Sequence, residues 1–163
     1  MDDLDSLFNE FARLFTGDIQ DEQDVPFPAV LNRQKLDGSV ESLHEVDRYL
    51  AHLHQHKSEL QDDDWRVTLL RAGAYLGEVI RHAAPEGEFR WVDYDEYMSL
   101  HPELQEMIPE RTVATCAFLV RRSGAMSTPL NRIARAIDEG PVDNVHFFAL
   151  CDLKDFVRGD EPR

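Results

Sequence analysis

Histidines 52, 54 and 56 alternate along HLHQH, and their type and spacing raise the question of a metal site. On a helix only His52 and His56, four apart, share a face. Two imidazoles make half of a tetrahedral zinc site, and no cysteine or third ligand stands nearby in sequence to complete it. With Lys57 following, the three histidines read as solvated residues at a helix C-terminus, where positive charge is favoured. No metal and no cofactor is expected. Glu78 and His82 are also four apart and could act as an acid–base pair. With Asp93 they would equip a small hydrolase or transferase, although no partner nucleophile accompanies them. The remaining grouping is Asp93, Asp95 and Glu96 among Trp91, Tyr94 and Tyr97. Carboxylates and rings at a strand end could hold a cation, a basic side chain or a sugar. The plainer reading is the edge of an aromatic core with solvated acids. The chain has no Walker A sequence, GxGxxG, nucleophile-elbow serine, CxxC or HExxH, which lowers the expectation of an enzyme.

The segment that must position these groups is Trp65 to Tyr94. It reads as a long apolar helix, a turn at Pro85-Glu86-Gly87 and a strand. Leu69, Leu70, Gly73, Leu76, Gly77 and Ile80 crowd one side of the helix. Gly73 and Gly77 share a face and would let another element, such as a sheet, approach closely. Asp62, Asp63 and Asp64 supply a cap and first-turn charge. Phe89 to Tyr94 alternates with a period of two, with Phe89 and Trp91 on one face. Asp95 to Met107 reads as a polar connection, helical around Pro102–Met107. Thr112 to Arg121 is the clearest strand, and its nearly continuous apolarity suits a central position.

Before the central helix, Leu4, Leu7, Phe8, Phe11, Leu14 and Phe15 form one face of an amphipathic helix with Asp2, Asp3 and Asp5 in its first turn and Gly17 as its stop. That face is expected to dock on the protein's own core. As an alternative, Phe8, Phe11 and Phe15 would grip a client helix, making the chain an adaptor or chaperone. Residues 18–40 read as an acidic linker with one extended piece around Val25–Leu31. Ser42 to Glu45 has the capping-box pattern. After the strands, Thr128-Pro129 starts a helix that Gly140-Pro141 closes. Asp143 could cap a last helix, since Val145, Phe148, Ala149, Leu153 and Phe156 fit helical spacing better than a strand. The order of elements predicts an α+β fold, a helical layer packed on a small antiparallel sheet. Residues 1–40 would form the N-terminal helix and linker, and 41–163 a single domain.

Composition bounds the partners. The 163 residues are 42% hydrophobic and 30% charged, which is globular. No apolar run approaches the roughly 20 residues of a membrane span. The acidic start MDDLDSLFNEF lacks the basic and apolar regions of a signal peptide, so a cytoplasmic protein is expected. Cys116 and Cys151 lie in apolar stretches and are expected as buried free thiols. The formal charge is −15, and residues 1–64 hold 16 Asp/Glu against 5 Lys/Arg. Such a surface repels nucleic acid and anionic membranes and attracts basic partners.

RAGAYLGEVIRH, the Gly87 turn and FRWVDY, with the later Pro129-Leu-Asn-Arg-Ile133, Ile137 and Gly140, resemble small bacterial proteins similar to the immunity proteins of toxin systems. The resemblance covers about residues 65–150 and describes packing rather than chemistry. It implies a non-enzymatic inhibitor that occludes the basic active-site surface of a cognate toxin. Asp62, Asp63, Asp64, Asp93, Asp95, Glu96, Trp91 and Tyr94 are the residues expected to make the contact.

Overall fold

The computed structural model describes residues 3–157. Helix α1 (Asp3–Thr16), α2 (Leu43–Gln55) and α3 (Asp62–Ala83) precede strand β1 (Phe89–Asp93); α4 (Tyr94–Leu100), β2 (Ala117–Arg121), β3 (Met126–Ser127), α5 (Pro129–Glu139) and α6 (Val145–Val157) complete the chain. This is the α+β architecture expected, a helical layer on a three-stranded antiparallel sheet of order β1-β2-β3.

Helix α3 is the axis. It starts where the Asp64 carboxylate accepts the Gln61 N–H at 2.9 Å, so the third aspartate of the run closes the first turn. Its middle is buried almost all round, from Val67 to Ile80 apart from Leu70, because α1, α5 and α6 pack along it. The glycine pair explains how the layers approach. A Cβ on Gly73 would stand 2.3 Å from Leu130 Cδ2 of α5, and one on Gly77 2.1 Å from Trp91 Cζ2 of the sheet. Neither position has room for a side chain.

The sheet is covered on both faces. Phe89 and Trp91 pair with Arg121 and Leu119 and face the helices, where Ala117 and Leu119 join the main core. Val92, Phe118 and Val120 face the opposite way, under Tyr94, Tyr97 and Met98 of α4. The segment read as a polar connection is therefore a second cover. It is held by Tyr94 Oη donating to Ile108 O (2.7 Å) and Tyr97 Oη to Gly124 O (2.7 Å). Central β2 is buried on both faces, which accounts for its continuous apolarity. It is shorter than Thr112–Arg121: residues 112–116 form a turn, with Thr115 Oγ1 donating to Glu110 O and accepting from Thr112 N.

The N-terminal segment is built into the same core. Phe8 (2% exposed) and Phe15 (0%) are buried, and Phe8 stacks on Trp91 with ring centroids 4.1 Å apart. The aromatic face that an adaptor would use is thus turned inward. Asp5 is more than first-turn charge: it accepts the Trp91 N–H at 2.8 Å. Because β1 is an edge strand, that N–H needs an acceptor from outside the sheet, and α1 supplies it. Residues 18–40 are no loose linker. Val25, Leu31 and Leu36 enter the core, and turns replace the extended piece expected at 25–31. Arg33 ties the strap to Asp24 (2.6 Å) and Phe15 O (3.0 Å), while Arg71 reaches Asp21 (3.1 Å) and Gln23 O (2.8 Å).

The capping box at Ser42–Glu45 does not form. Ser42 Oγ donates to Ser39 O and meets Tyr75 Oη at 2.6 Å, while Glu45 accepts from Asn32 N and Arg48. Long-range partners have displaced the local pattern. Helix α5 begins at Pro129 and ends at Gly140 (φ 93°) as read. Helix α6 also forms as a helix, with Val145, Ala149 and Leu153 fully buried, and its N-terminal donors are taken by other residues. Asn144 Oδ1 accepts Phe147 N (3.0 Å) and Asp47 accepts Val145 N (2.7 Å) and His146 N (3.2 Å). The side chain of Asp143 and the residue Asp2 lie outside what is described. No helix among the described residues is long and apolar enough to cross a membrane.

Candidate functional site

The cover on the outer face of the sheet carries a run of acids along α4 and the turn that follows it. Asp93 caps α4, its carboxylate accepting Asp95 N (2.9 Å) on one oxygen and Arg111 Nη2 (3.0 Å) on the other. That leaves the two following acids exposed, with Glu96 reaching Arg90 only at 3.7 Å. A short 3-10 turn at Pro102–Glu106 adds Glu103 and Glu106, and Glu110 follows; all three are exposed. Between them Leu100 (63%) and Met107 (78%) stand in solvent. Packing explains this: the inward side of the cover is spent on the sheet through Tyr97, Met98 and Ile108, so its outward side carries what the core does not need.

Trp91 and Tyr94 are not part of that surface. They are 1% and 4% exposed and belong to the two cores, which corrects their assignment as partner contacts. Asp62 and Asp63 are exposed at the start of α3, and Asp63 pairs with Arg66 at 2.8 Å. Asp64 is committed to its own helix end.

Glu78 and His82 do line a common cleft of about 440 Å³ with Asn9, Arg13, Arg33 and Tyr75. Asp93 does not line it, so the three groups of the hydrolase or transferase reading do not converge. Glu78 is 4% exposed and fully engaged. It accepts Asn9 Nδ2 (3.1 Å), Arg81 Nε (2.8 Å) and Trp91 Nε1 (3.2 Å). A carboxylate so tied holds α1, α3 and β1 together; a general base needs a free lone pair aimed at substrate. Arg81 also meets Asp5 at 3.5 Å, and the carboxylates beside it push its guanidinium pKa up despite burial.

The histidines near the end of α2 are half-buried rather than fully solvated. His54 Nδ1 meets Ile137 O at 2.7 Å and Lys57 Nζ donates to Asp138 O at 2.7 Å, so both satisfy carbonyls at the C-terminal end of α5. His52 and His56 do share a face, with rings 4.4 Å apart, and Phe27 lies against both. The two cysteines are free thiols, but only Cys116 is half-buried; Cys151 is exposed, because it falls on the outward side of α6 beside Phe147 and Leu150.

The acidic cap was partly legible in the run Asp93 to Glu96. Leu100 and Met107 were missed, since a polar connection gives no periodic signal for an element that covers a sheet. No protein-family model matches the chain, and no curated protein and no solved structure matches it.

Proposed function

We propose that this chain is a non-enzymatic, cytoplasmic binding protein that captures a basic protein, in the manner of the bacterial immunity proteins its central segment resembles, and occludes that partner's basic active-site surface. The observation that carries the reading is the cover over the sheet, a segment on which Leu100 and Met107 are exposed together with Asp95, Glu96, Glu103, Glu106 and Glu110. Exposed apolar anchors beside charged residues are what a protein interface presents, and a mainly acidic segment on a chain of net charge −15, although Arg90 and Arg111 stand within it, favours a basic partner and speeds its approach. The immunity role adds that the partner is a toxin and that binding silences it.

The test is capture of binding proteins from native lysate at low salt, repeated near 1 M salt, where the screening length falls to about 3 Å. A single stoichiometric basic protein, released by salt and retained poorly by an Asp95→Lys/Glu96→Lys variant, is the expected result. Inhibition of that protein's activity on binding completes the immunity reading. Equal retention by wild type and variant at low salt refutes the assignment of this surface.

A further inference from the structure

We propose that Glu41, His44 and His146 bind a divalent first-row transition ion, zinc above all, that clips the start of α2 to the start of α6. Glu41 lies in the turn before α2, His44 in the first turn of α2, and His146 in the first turn of α6. The fold brings one ligand atom of each within 4.8 Å of the others. Glu41 Oε2 is 3.5 Å from His44 Nε2, and Glu41 Oε1 is 3.7 Å from His146 Nε2. With metal–ligand bonds of about 2.0–2.1 Å, the edge of a tetrahedral site is about 3.3 Å. Shifts of a few tenths of an ångström therefore close these two edges, and the His44 ring must swing out of its stack on His146 to aim its lone pair at the same point. The freedom for that is present, since the His44 and Glu41 side chains are 60% and 80% exposed.

His146 supplies the observation that points to a ligand. Its Nε2 is buried and has no hydrogen-bond partner, a costly state for a polar atom, and it faces the Glu41 carboxylate beyond hydrogen-bond distance. The His44 and His146 rings are stacked, 3.8 Å apart at 26°, so ligation by both requires exposed His44 to leave the stack. Two imidazoles and one carboxylate suit zinc and its neighbours rather than calcium or magnesium, which take oxygen ligands. Two helix N-termini meet here, and their partial positive charge opposes a cation. Glu41 and Asp47 answer it: Asp47 accepts the Val145 and His146 N–H groups, so one helix start is neutralised by a carboxylate and His146 is fixed in place. Three protein ligands leave a fourth position for water. The site shares no residue with the acidic cap and stands independently of the proposed function.

The test is titration of the metal-free protein with zinc alone by calorimetry, and with cobalt(II) for the visible absorption of a tetrahedral site. Wild type should take up one equivalent, and free zinc about 100-fold above the dissociation constant should raise Tm by about 5–10 °C. His44→Ala, an exposed substitution that leaves the core intact, and Glu41→Gln should each weaken binding by about tenfold or more, with metal-free Tm unchanged. His146→Ala should abolish the cobalt spectrum. Zinc uptake that is absent in wild type, unaltered in the His44 and Glu41 variants, or lost instead in a His52→Ala/His56→Ala variant would overturn the assignment.

Discussion

Replacing Gly77 by alanine sets two physical effects against each other, and the structure decides between them. Alanine favours the helix by about 1 kcal/mol over glycine. Its methyl, however, would lie 2.1 Å from Trp91 Cζ2 and 2.5 Å from Cη2, against a comfortable carbon–carbon separation of about 3.5–4.0 Å. The indole must retreat by more than about 1 Å, and three contacts resist. Phe8 stacks on it at 4.1 Å, Glu78 accepts its Nε1–H at 3.2 Å, and Asp5 holds its backbone N–H at 2.8 Å. Overpacking costs about 1–3 kcal/mol, loss of the stack about 0.5–1.5 kcal/mol, and loss of a hydrogen bond to a carboxylate about 1.5–3 kcal/mol. These overlap, because the movement that relieves the clash is the one that breaks the contacts. After the helix gain, a net loss of about 2–4 kcal/mol remains, or about 5–15 °C in Tm for a chain of this size.

Urea and thermal unfolding of Gly77→Ala in a Trp65→Phe background give the loss, and the remaining tryptophan's fluorescence reports the displaced indole. Gly73→Ala is the companion: it meets Leu130 Cδ2 at 2.3 Å, which can rotate away, and Leu130 Cα at 3.0 Å, which needs only a small helix shift. It should cost less. A Gly77→Ala protein as stable as wild type, or more so, would refute the reasoning, since propensity would then outweigh a contact that the fold treats as closed.

Asp5→Ala strands the buried Trp91 N–H and should cost about 2–3 kcal/mol in urea unfolding, while Asp5→Asn keeps an acceptor and should cost less. Burial alone would raise the Glu45 carboxyl, but hydrogen bonds from Arg48 and Asn32 N hold it below its ordinary 4.5. Its stabilisation is therefore complete above pH 4.5 and lost as pH falls through the lower folded value; Glu45→Gln should flatten the urea midpoint against pH in that acid range. Asp152 is the reverse case, raised above 3.8 by burial that its bond from Ser127 only partly offsets. Asp152→Asn should raise the urea midpoint at pH 7, and the advantage should vanish below pH 3.8, where the wild-type carboxyl is protonated in both states. Exposed Cys151 should react rapidly with a thiol reagent, while Cys116, half-buried with its thiol pushed up by burial, should react slowly; Cys151→Ser removes the fast phase.

What the sequence showed clearly was periodic. Helix α3, its glycine face, the central place of β2 and the burial of Val145, Ala149 and Leu153 follow from spacing, because a buried face leaves a repeat in the chain. What it hid was set by distant partners. Ser42 and Glu45 have a capping-box spacing, yet Tyr75 and Arg48 with Asn32 take their side chains. Trp91 and Tyr94 sit beside acids in sequence but point into opposite cores. The two-residue strand β3 is too short to show alternation. Glu41, His44 and His146 come together across two helices, and no local pattern announces a ligand that arrives about a hundred residues later.

The acids of this chain divide into those the fold uses and those it does not, and the division makes the binding proposal separable from stability. Asp5, Glu45, Asp47, Asp64, Glu78 and Asp93 each accept a hydrogen bond that joins or ends an element. The side chains of Glu106 and Glu110 are exposed and make no hydrogen bond among the described residues. Reversal of an exposed, unengaged charge changes stability by about 0.5 kcal/mol or less, and on so acidic a chain it relieves self-repulsion. Glu106→Lys/Glu110→Lys should therefore leave Tm within about 2 °C of wild type while weakening partner capture at low salt. Asp64→Lys, by contrast, should lower Tm through its lost cap. A fall in capture that tracks Tm across these variants would mean that folding, and not the acidic cap, had been measured.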